Sequence, residues 1–243
     1  METTTVRSMV TKDFRSAAIF EKYSIDFCCH GNVSLDAACN EKGVPIEKVR
    51  ADLALLLKDT SNNLDSFVSW ELDKLADYIV QTHHSYVRST IPTLLAHTDK
   101  IAAVHGERHA ELLKIRDIFE GVGEEMTAHM LKEERVLFPF IKALAESARS
   151  GLPIQRPPFQ TIQNPIRMME AEHVSAGDGM GNIRVASRQY AVPTDACTTF
   201  RITYQELEAF EMDLHKHVHL ENNILFPKAI ELERQLLATS LLN

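Results

Sequence analysis

The chain has 243 residues, of which 44% are apolar, so it is large enough to bury a core. Its formal net charge of −8 excludes a protein that binds nucleic acid through a basic surface. The first residues lack the basic and apolar regions of a signal peptide, and the longest apolar run, at 53–57, is far shorter than a membrane span. We therefore expect a cytoplasmic protein with no membrane or nucleic-acid partner.

The first sixty residues are predicted to form a small helical domain that carries two adjacent cysteines. A short helix around 13–21 precedes Cys28 and Cys29, a second can begin with Ser34 as its N-cap, and a third can cover about 45–58. Adjacent cysteines in a chain without an export signal are no disulfide framework. We interpret them as a redox or metal-binding pair, and the alternative is that both thiols pack as small apolar groups.

A polar, turn-rich stretch is predicted to be a linker at 61–66, which separates a domain at 1–60 from a second domain at 67–243. Long segments of the second domain have helical periodicity, and no period-two strand pattern competes with it. Four helices are expected, roughly at 66–98, 107–149, 160–188 and 194–238. The last is expected to begin at Thr194 as its cap. This pattern predicts an all-α fold, an antiparallel four-helix bundle.

Two segments of the predicted bundle repeat an unusual signature. His129 and Glu133 are followed by Leu-Phe-Pro at 137–139, and His217 and Glu221 are followed by the same three residues at the same offset. Residues four apart share one face of a helix. Burying a carboxylate without a partner costs several kcal/mol. The repeat of such pairs within apolar helices therefore indicates a metal held between helices.

Each predicted helix has an apolar stripe that is interrupted only by ligand-type side chains. On the second helix, the stripe is predicted to continue beyond Glu133 through Val136 and Phe140. The third helix offers His173 within such a stripe. On the first helix the pattern leaves two alternatives open, because the adjacent His83 and His84 face different stripes. His215 and His219 on the fourth helix are expected to point away from the face of His217.

Four histidines and two glutamates are ligand types that suit iron or manganese. If each glutamate bridges two metals about 3.5–4 Å apart, each metal takes two histidines as well. A bridging oxide or hydroxide would add a fifth ligand. One position on each metal would remain for a small ligand such as dioxygen or nitric oxide.

Other ligand-type residues have weaker patterns. Glu125 lies one turn before His129, and Glu172 is adjacent to His173, so each could hydrogen-bond a ligand or relay protons. The alternative for both is an ordinary surface carboxylate. The histidines near the turn after the first helix are expected to be exposed to solvent, namely His97, His105 and His109.

These motifs resemble those of hemerythrin-like di-iron proteins. Together with Cys28 and Cys29 after Asp26-Phe27, they resemble the Ric family of iron–sulfur cluster repair di-iron proteins over nearly the whole chain. The resemblance implies His84 instead of His83 on the first helix. It also makes His105 a candidate near the site. The implied metal ligands are His84, His129, His173 and His217 at terminal positions and Glu133 and Glu221 as bridges.

The resemblance further implies two non-haem iron ions, oxo- or hydroxo-bridged, and a role in repairing iron–sulfur clusters damaged by nitric oxide or oxidative stress. The protein would supply iron to damaged iron–sulfur proteins as its clients, and a homodimer is left open. Two alternative functions remain: a di-iron enzyme that reduces nitric oxide to nitrous oxide, and a hemerythrin-like carrier or sensor of dioxygen or nitric oxide. The cysteine domain and the ligand set count against the carrier.

Overall fold

Four short helices form the amino-terminal part of the chain, in a computed structural model that describes residues 4–58, 67–155 and 157–240. Ser34 caps α3 as predicted, since its side chain accepts from the amide of Ala37. Sequence reasoning missed α1, which begins after a reciprocal capping box between Thr5 and Ser8. The predicted linker at 61–66 lies outside the described residues. The four helices are α1 (Val6–Lys12), α2 (Ser16–Lys22), α3 (Leu35–Lys42) and α4 (Ile46–Lys58).

Four long helices, α5 to α8, form the predicted antiparallel bundle. The first segment of α5 packs against the last segment of α6, and the later part of α5 packs against the first part of α6. A 3₁₀ turn, Phe67–Ser69, precedes them. The helices are α5 at 72–105 (Leu72–Ile79, Val80–His84, Ser85–His105), α6 at 111–150 (Glu111–Lys132, Glu133–Leu137, Phe138–Ser150), α7 (Gln163–Ala186) and α8 at 198–240 (Thr198–Leu220, Glu221–Leu225, Phe226–Ser240).

Two predicted helix ends are wrong. α5 continues seven residues beyond 98 to His105, because Ile101 and Ala102 are buried and keep the helix in contact with the core. α8 begins at Thr198 with Cys197 as its N-cap, whereas Thr194 belongs to the preceding turn.

Three of the four bundle helices contain a five-residue π-helical turn, and only α7 is α-helical throughout. A π turn adds one residue to the helical repeat, so it changes which residues face the core beyond it. In α6 the prediction for Val136 is therefore wrong: it is 48% exposed, while Leu137 and Phe138 are buried. In α5 the same effect buries both His83 and His84, so the two-stripe alternative does not apply.

The bundle has a buried polar layer between two apolar clusters. One cluster includes Val87, Met126 and Phe210. The other includes Ile79 and Phe138 and lies on the opposite side of the π turns along the helices. The histidines and glutamates of the repeated motif lie between them and belong to neither cluster. None of the described helices is long and apolar enough to span a membrane.

The amino-terminal helices share a hydrophobic core with the bundle. Phe20 and Phe27 belong to the same buried cluster as Val87, Met126 and Phe210 of the bundle. The ring of Phe27 packs edge-on against His215 and His219 of α8, with centroids 5.9 Å apart in both cases. Asn223 donates a hydrogen bond to the carbonyl oxygen of Phe27 at 3.3 Å. The cysteine-bearing segment is therefore held directly against the helices of the polar layer.

Candidate metal centre

The structure brings together the six residues that were predicted to bind metal. All six residues are fully buried, in the polar layer between the two apolar clusters. Their ligand atoms form two groups, within each of which all atoms lie within 4.8 Å of one another. Both groups contain the same two glutamates, Glu133 and Glu221. The groups are His84, Glu133, His217 and Glu221, and His129, Glu133, His173 and Glu221.

Each glutamate contacts one histidine of each group. Oε2 of Glu133 lies 3.3 Å from Nε2 of His84 and 3.3 Å from Nε2 of His129. Glu221 has its two oxygens divided between the groups: Oε1 lies 3.0 Å from Nε2 of His217, and Oε2 lies 3.1 Å from Nε2 of His173. This is the arrangement that a carboxylate shared by two metal ions requires.

Several polar atoms of the layer have no hydrogen-bond partner among the described residues. They include both carboxylate oxygens of Glu133 and Nε2 of His84. Since an unpaired buried polar group costs about 1–3 kcal/mol, and more when it is charged, such atoms need a partner that the described residues do not supply. Cations satisfy carboxylate oxygens and imidazole nitrogens together, so the donor set fits metal ions.

The two histidines of the second group give a further test of fit. Nε2 of His129 and Nε2 of His173 lie 3.0 Å apart. Nδ1 of His129 donates to Glu172, and Nδ1 of His173 donates to Oδ1 of Asn222. In the neutral tautomers, both Nε2 atoms are therefore acceptors that face each other. A proton or a cation between them removes this repulsion.

The electrostatics of the metal-free layer indicate that protons take the place of cations. Burial would lower the pKa of His84, but the adjacent carboxylates of Glu133 and Glu221 raise it to about 10. Burial would also lower the pKa of His129, but the charge of Glu133 raises it to about 9. Burial would raise the pKa of Glu221, but His217 and His173 hold it well below its ordinary value. The carboxylates thus stay charged and attract cations.

Residues of neighbouring helices fix the orientation of three of the predicted ligand histidines through Nδ1. Glu134 accepts from His84 at 2.8 Å, and Arg88 holds Glu134 in turn. Glu172 accepts from His129 at 2.9 Å and also pairs with Lys132. Asn222 holds His173 in the same way. Such partners keep the ring oriented and its Nε2 free for a metal.

Sequence reasoning missed Glu134 and Asn222, although each directly follows a predicted glutamate ligand in the chain. In an uninterrupted α-helix, neighbouring residues point about 100° apart, so adjacency to a ligand gave no reason to select them. The π turns that begin at Glu133 and Glu221 contain both residues.

His83 is next to the ligand group without belonging to it. Its ring stacks on that of His217, with centroids 5.6 Å apart and an angle of 9° between the planes. Nδ1 of His83 hydrogen-bonds Oδ1 of Asp213 at 2.8 Å. Nδ1 of His217 has no hydrogen-bond partner among the described residues. The stack with His83 therefore supports the predicted ligand ring whose Nδ1 has no partner among the described residues.

Two other candidates lie elsewhere. Glu125 accepts a hydrogen bond from Ser175 and is exposed, so it holds no ligand histidine by a described contact. His105 is buried, which contradicts the expected exposure, and it contacts Cys197 at the far end of α5. The structure therefore does not place Glu125 or His105 beside the polar layer as ligand partners.

The paired cysteines lie against α7. Both thiols are free, and their Sγ atoms are 3.7 Å apart. Asp26 holds the loop, since its Oδ1 accepts from the amides of Cys28 and Cys29. Sγ of Cys29 lies 3.6 Å from the carbonyl oxygen of His173. A cavity of about 800 Å³ is lined by both cysteines, by His30 and by residues of α7.

Comparison with known proteins agrees with this arrangement. A family model described as Hemerythrin HHE cation binding domain matches residues 75–229, and one described as Domain of Unknown function (DUF542) matches residues 2–57. The iron–sulfur cluster repair protein YtfE of Yersinia pestis (strain Pestoides F) is 32% identical over 219 residues, which cover 89% of this chain and 91% of that protein. YtfE of Escherichia coli O8 (strain IAI1) and of Enterobacter sp. (strain 638) are 32% and 31% identical over 216 residues, with the same coverage.

Proposed function

Because the chain belongs to the Ric family of hemerythrin-like iron–sulfur cluster repair proteins, we propose that it repairs iron–sulfur clusters damaged by nitric oxide or oxidative stress. It does so by supplying iron from its buried centre to damaged client proteins. The observation that carries this proposal is that Glu133 and Glu221 each contact one histidine of both ligand groups. The cytoplasmic location predicted from the sequence stays a prediction.

We assign the centre to two iron ions. His84 and His217 would hold one ion, His129 and His173 would hold the other, and both glutamates would bridge them. When bound, two irons in such a set supply chemistry that depends on their oxidation state, being retained when ferric and labile when ferrous. Nitrogen and carboxylate ligands suit iron. The absence of thiolate from the two groups favours a centre that releases its metal over a permanent cluster.

The protein itself contributes orientation and exclusion of water. Hydrogen bonds from Nδ1 of three histidines to Glu134, Glu172 and Asn222 keep their rings directed at the centre. The two apolar clusters above and below the layer leave the glutamates about fully buried, so their charges are not screened by water. Both features raise the affinity for cations without any change of conformation.

We assign the paired cysteines to contact with the client or its bound nitric oxide. Cys29 is half-buried, and it lines the cavity beside the carbonyl of His173. A client thiol or nitrosyl group in this cavity would be separated from the centre only by the backbone of α7 at His173. The alternative is that both cysteines only pack as small apolar groups. The repair assay described next distinguishes this role from client contact.

The test uses a hydro-lyase whose [4Fe–4S] cluster has been damaged with nitric oxide. Iron-loaded protein with a thiol reductant should restore its activity, and Glu133→Gln with Glu221→Gln should restore none. Glu208→Gln, an exposed position on α8, is the matched control and should restore full activity. Replacing Cys28 and Cys29 by Ser should slow recovery while leaving bound iron unchanged. Recovery at the native rate would reduce the pair to packing.

The alternative functions predict other products in the same experiment. A nitric oxide reductase would form nitrous oxide from nitric oxide and a reductant in the absence of any client. A carrier would show a stable, reversible oxygenated spectrum. Either result without client recovery would replace the repair proposal.

A further inference from the structure

A second nucleophilic cluster lies where α5 ends and α8 begins. Cys197 is the N-cap residue of α8, and it is exposed. His105 is the last residue of α5, and its Nε2 lies 3.1 Å from Sγ of Cys197. At 1.5 Å per helical residue, His105 is about 30 Å from His84. The cluster is therefore separate from the proposed metal centre.

The imidazole of His105 is directed at this thiol. The residue is only 5% exposed, and its other ring nitrogen, Nδ1, has no hydrogen-bond partner among the described residues. The ring packs against Phe200, with centroids 5.5 Å apart, which holds it in place. A buried imidazole whose one described hydrogen-bond partner is a thiol is positioned to take the proton of that thiol.

Two further features surround Sγ of Cys197. The thiol makes no capping hydrogen bond, so no backbone amide of the first turn of α8 occupies its sulfur. The nearest carboxylate in sequence, Asp195, is engaged by His109 at 3.1 Å and by Arg108 at 3.6 Å. Those contacts offset the repulsion that Asp195 would otherwise exert.

We propose that Cys197 and His105 form a modification site for low-molecular-weight disulfides such as oxidised glutathione. The Sγ–H proton passes to Nε2 of His105 while Sγ attacks one sulfur of the disulfide. The disulfide bond of the reagent breaks, a bond between Sγ and the attacked sulfur forms, and the departing thiolate receives the proton. One disulfide is consumed and one is formed, so the electrons balance.

The other three cysteines are poor competitors for this reaction. Cys39 is buried, and burial raises its pKa. Cys28 is also buried, and its hydrogen bond with Cys29 raises its pKa well above the ordinary value. Cys29 is half-buried against α7. Modification of the folded protein should therefore occur first at Cys197.

The experiment follows the reaction of the iron-loaded, full-length protein with oxidised glutathione by peptide mass mapping. His105→Gln should slow modification of Cys197 by about tenfold. His97→Gln is the matched control, since His97 also lies on α5 and hydrogen-bonds Glu206 of α8; it should leave the rate unchanged. Equal rates in the native protein and His105→Gln would overturn the proposal.

A second measurement does not depend on how well the variant folds. Unfolding the native protein in urea separates Cys197 from His105, so the rate at Cys197 should fall by about tenfold. The rate at buried Cys39 should rise under the same conditions, because its thiol becomes accessible. A rate at Cys197 that rises together with that of Cys39 would show that exposure alone governs its reactivity and would overturn the proposal.

Discussion

Two clusters of ligand-type residues in this molecule use their carboxylates differently. Asp26, beside the paired cysteines, accepts hydrogen bonds from the amides of Cys28 and Cys29 and from both the amide and Nδ1 of His30. Glu133 in the bundle has no hydrogen-bond donor on either oxygen among the described residues. The carboxylate of Asp26 is therefore already satisfied, and that of Glu133 requires a cation.

Exposure separates the same two clusters. The side chain of Asp26 is 34% exposed and that of Glu133 is 0% exposed. Water can solvate the first carboxylate, whereas the second is surrounded by side chains alone. The comparison teaches that residue types do not identify a metal site by themselves. Burial combined with unused acceptors does, and the following five predictions test that difference.

The largest effect is expected from removing a shared carboxylate. Glu133→Ala or Glu221→Ala should lower bound iron from about two ions per chain to less than one, because each glutamate serves both groups. Loss of bound metal should also lower the melting temperature. Metal analysis and calorimetry measure both quantities. Glu208→Ala is the exposed control, and an unchanged iron content in either bridge variant would contradict the assignment.

The adjacent histidines of α5 should differ strongly. His84→Ala removes a proposed ligand and should lose at least one iron, whereas His83→Ala should retain about two with a weaker affinity, by roughly tenfold. The physical reason is that His83 supports the ring of His217 by stacking and does not reach the ligand group. Competition with an iron chelator measures the affinities. The opposite outcome would assign His83 as the ligand.

Loading the centre should release protons. In the metal-free protein the pKa of His84 is raised to about 10 and that of His129 to about 9, so both carry a proton at neutral pH. Ligation requires the neutral imidazole, and iron uptake at pH 7 should release about two protons per chain. A pH-indicator dye during anaerobic ferrous titration measures this number. No net release at pH 7 would contradict the protonation described for the metal-free layer.

The same raised pKa values affect the stability of the metal-free protein. Their contribution is fully present below the ordinary histidine value of 6.5 and is lost as pH rises through 9 to 10. Metal-free protein should therefore unfold more easily at pH 10 than at pH 7, and bound iron should reduce that difference.

The smallest effect on iron is expected at Asp26. Asp26→Ala should lower the free energy of unfolding by about 2 kcal/mol, because backbone amides lose a charged acceptor, but iron per chain should not change. Burial would raise the pKa of Asp26, but the hydrogen bonds from His30 and the backbone amides outweigh burial and lower it. The difference in stability should therefore be present at neutral pH and shrink as pH falls through the folded pKa. Loss of iron from Asp26→Ala would contradict the prediction and would show that both clusters belong to one site.

The predictability of the helices depended on whether they are regular. On α7, the residues of the predicted stripe around His173, from Ile166 to Ile183, are all buried. On α6 the same reasoning failed at Val136, because helical periodicity contains no signal for the extra residue of a π turn. The fold could thus be predicted, and the family resemblance was needed to choose His84 over His83 as a candidate ligand, whereas the exposure of Val136 could not be predicted.

Contacts between distant segments were also beyond sequence reasoning. Cys29 lies 144 residues from His173 in the chain, and only the packing of the amino-terminal helices on α7 brings them together. The pair of buried His105 and exposed Cys197 likewise joins two helix ends, where the predicted boundaries of α5 and α8 were wrong. Errors of a few residues at helix ends conceal such pairs, because a residue assigned to a loop has no predicted helical face.

The π turns have a consequence for protein engineering. Each of the three turns advances its helix by one extra residue, about 100° of rotation, so the apolar faces on its two sides follow independent registers. The bundle is in this respect two short bundles spliced at the ligand layer. Residues of one apolar cluster could be redesigned without preserving the register of the other. Transplanting the six ligands into a regular four-helix bundle, by contrast, would require moving the three turns with them.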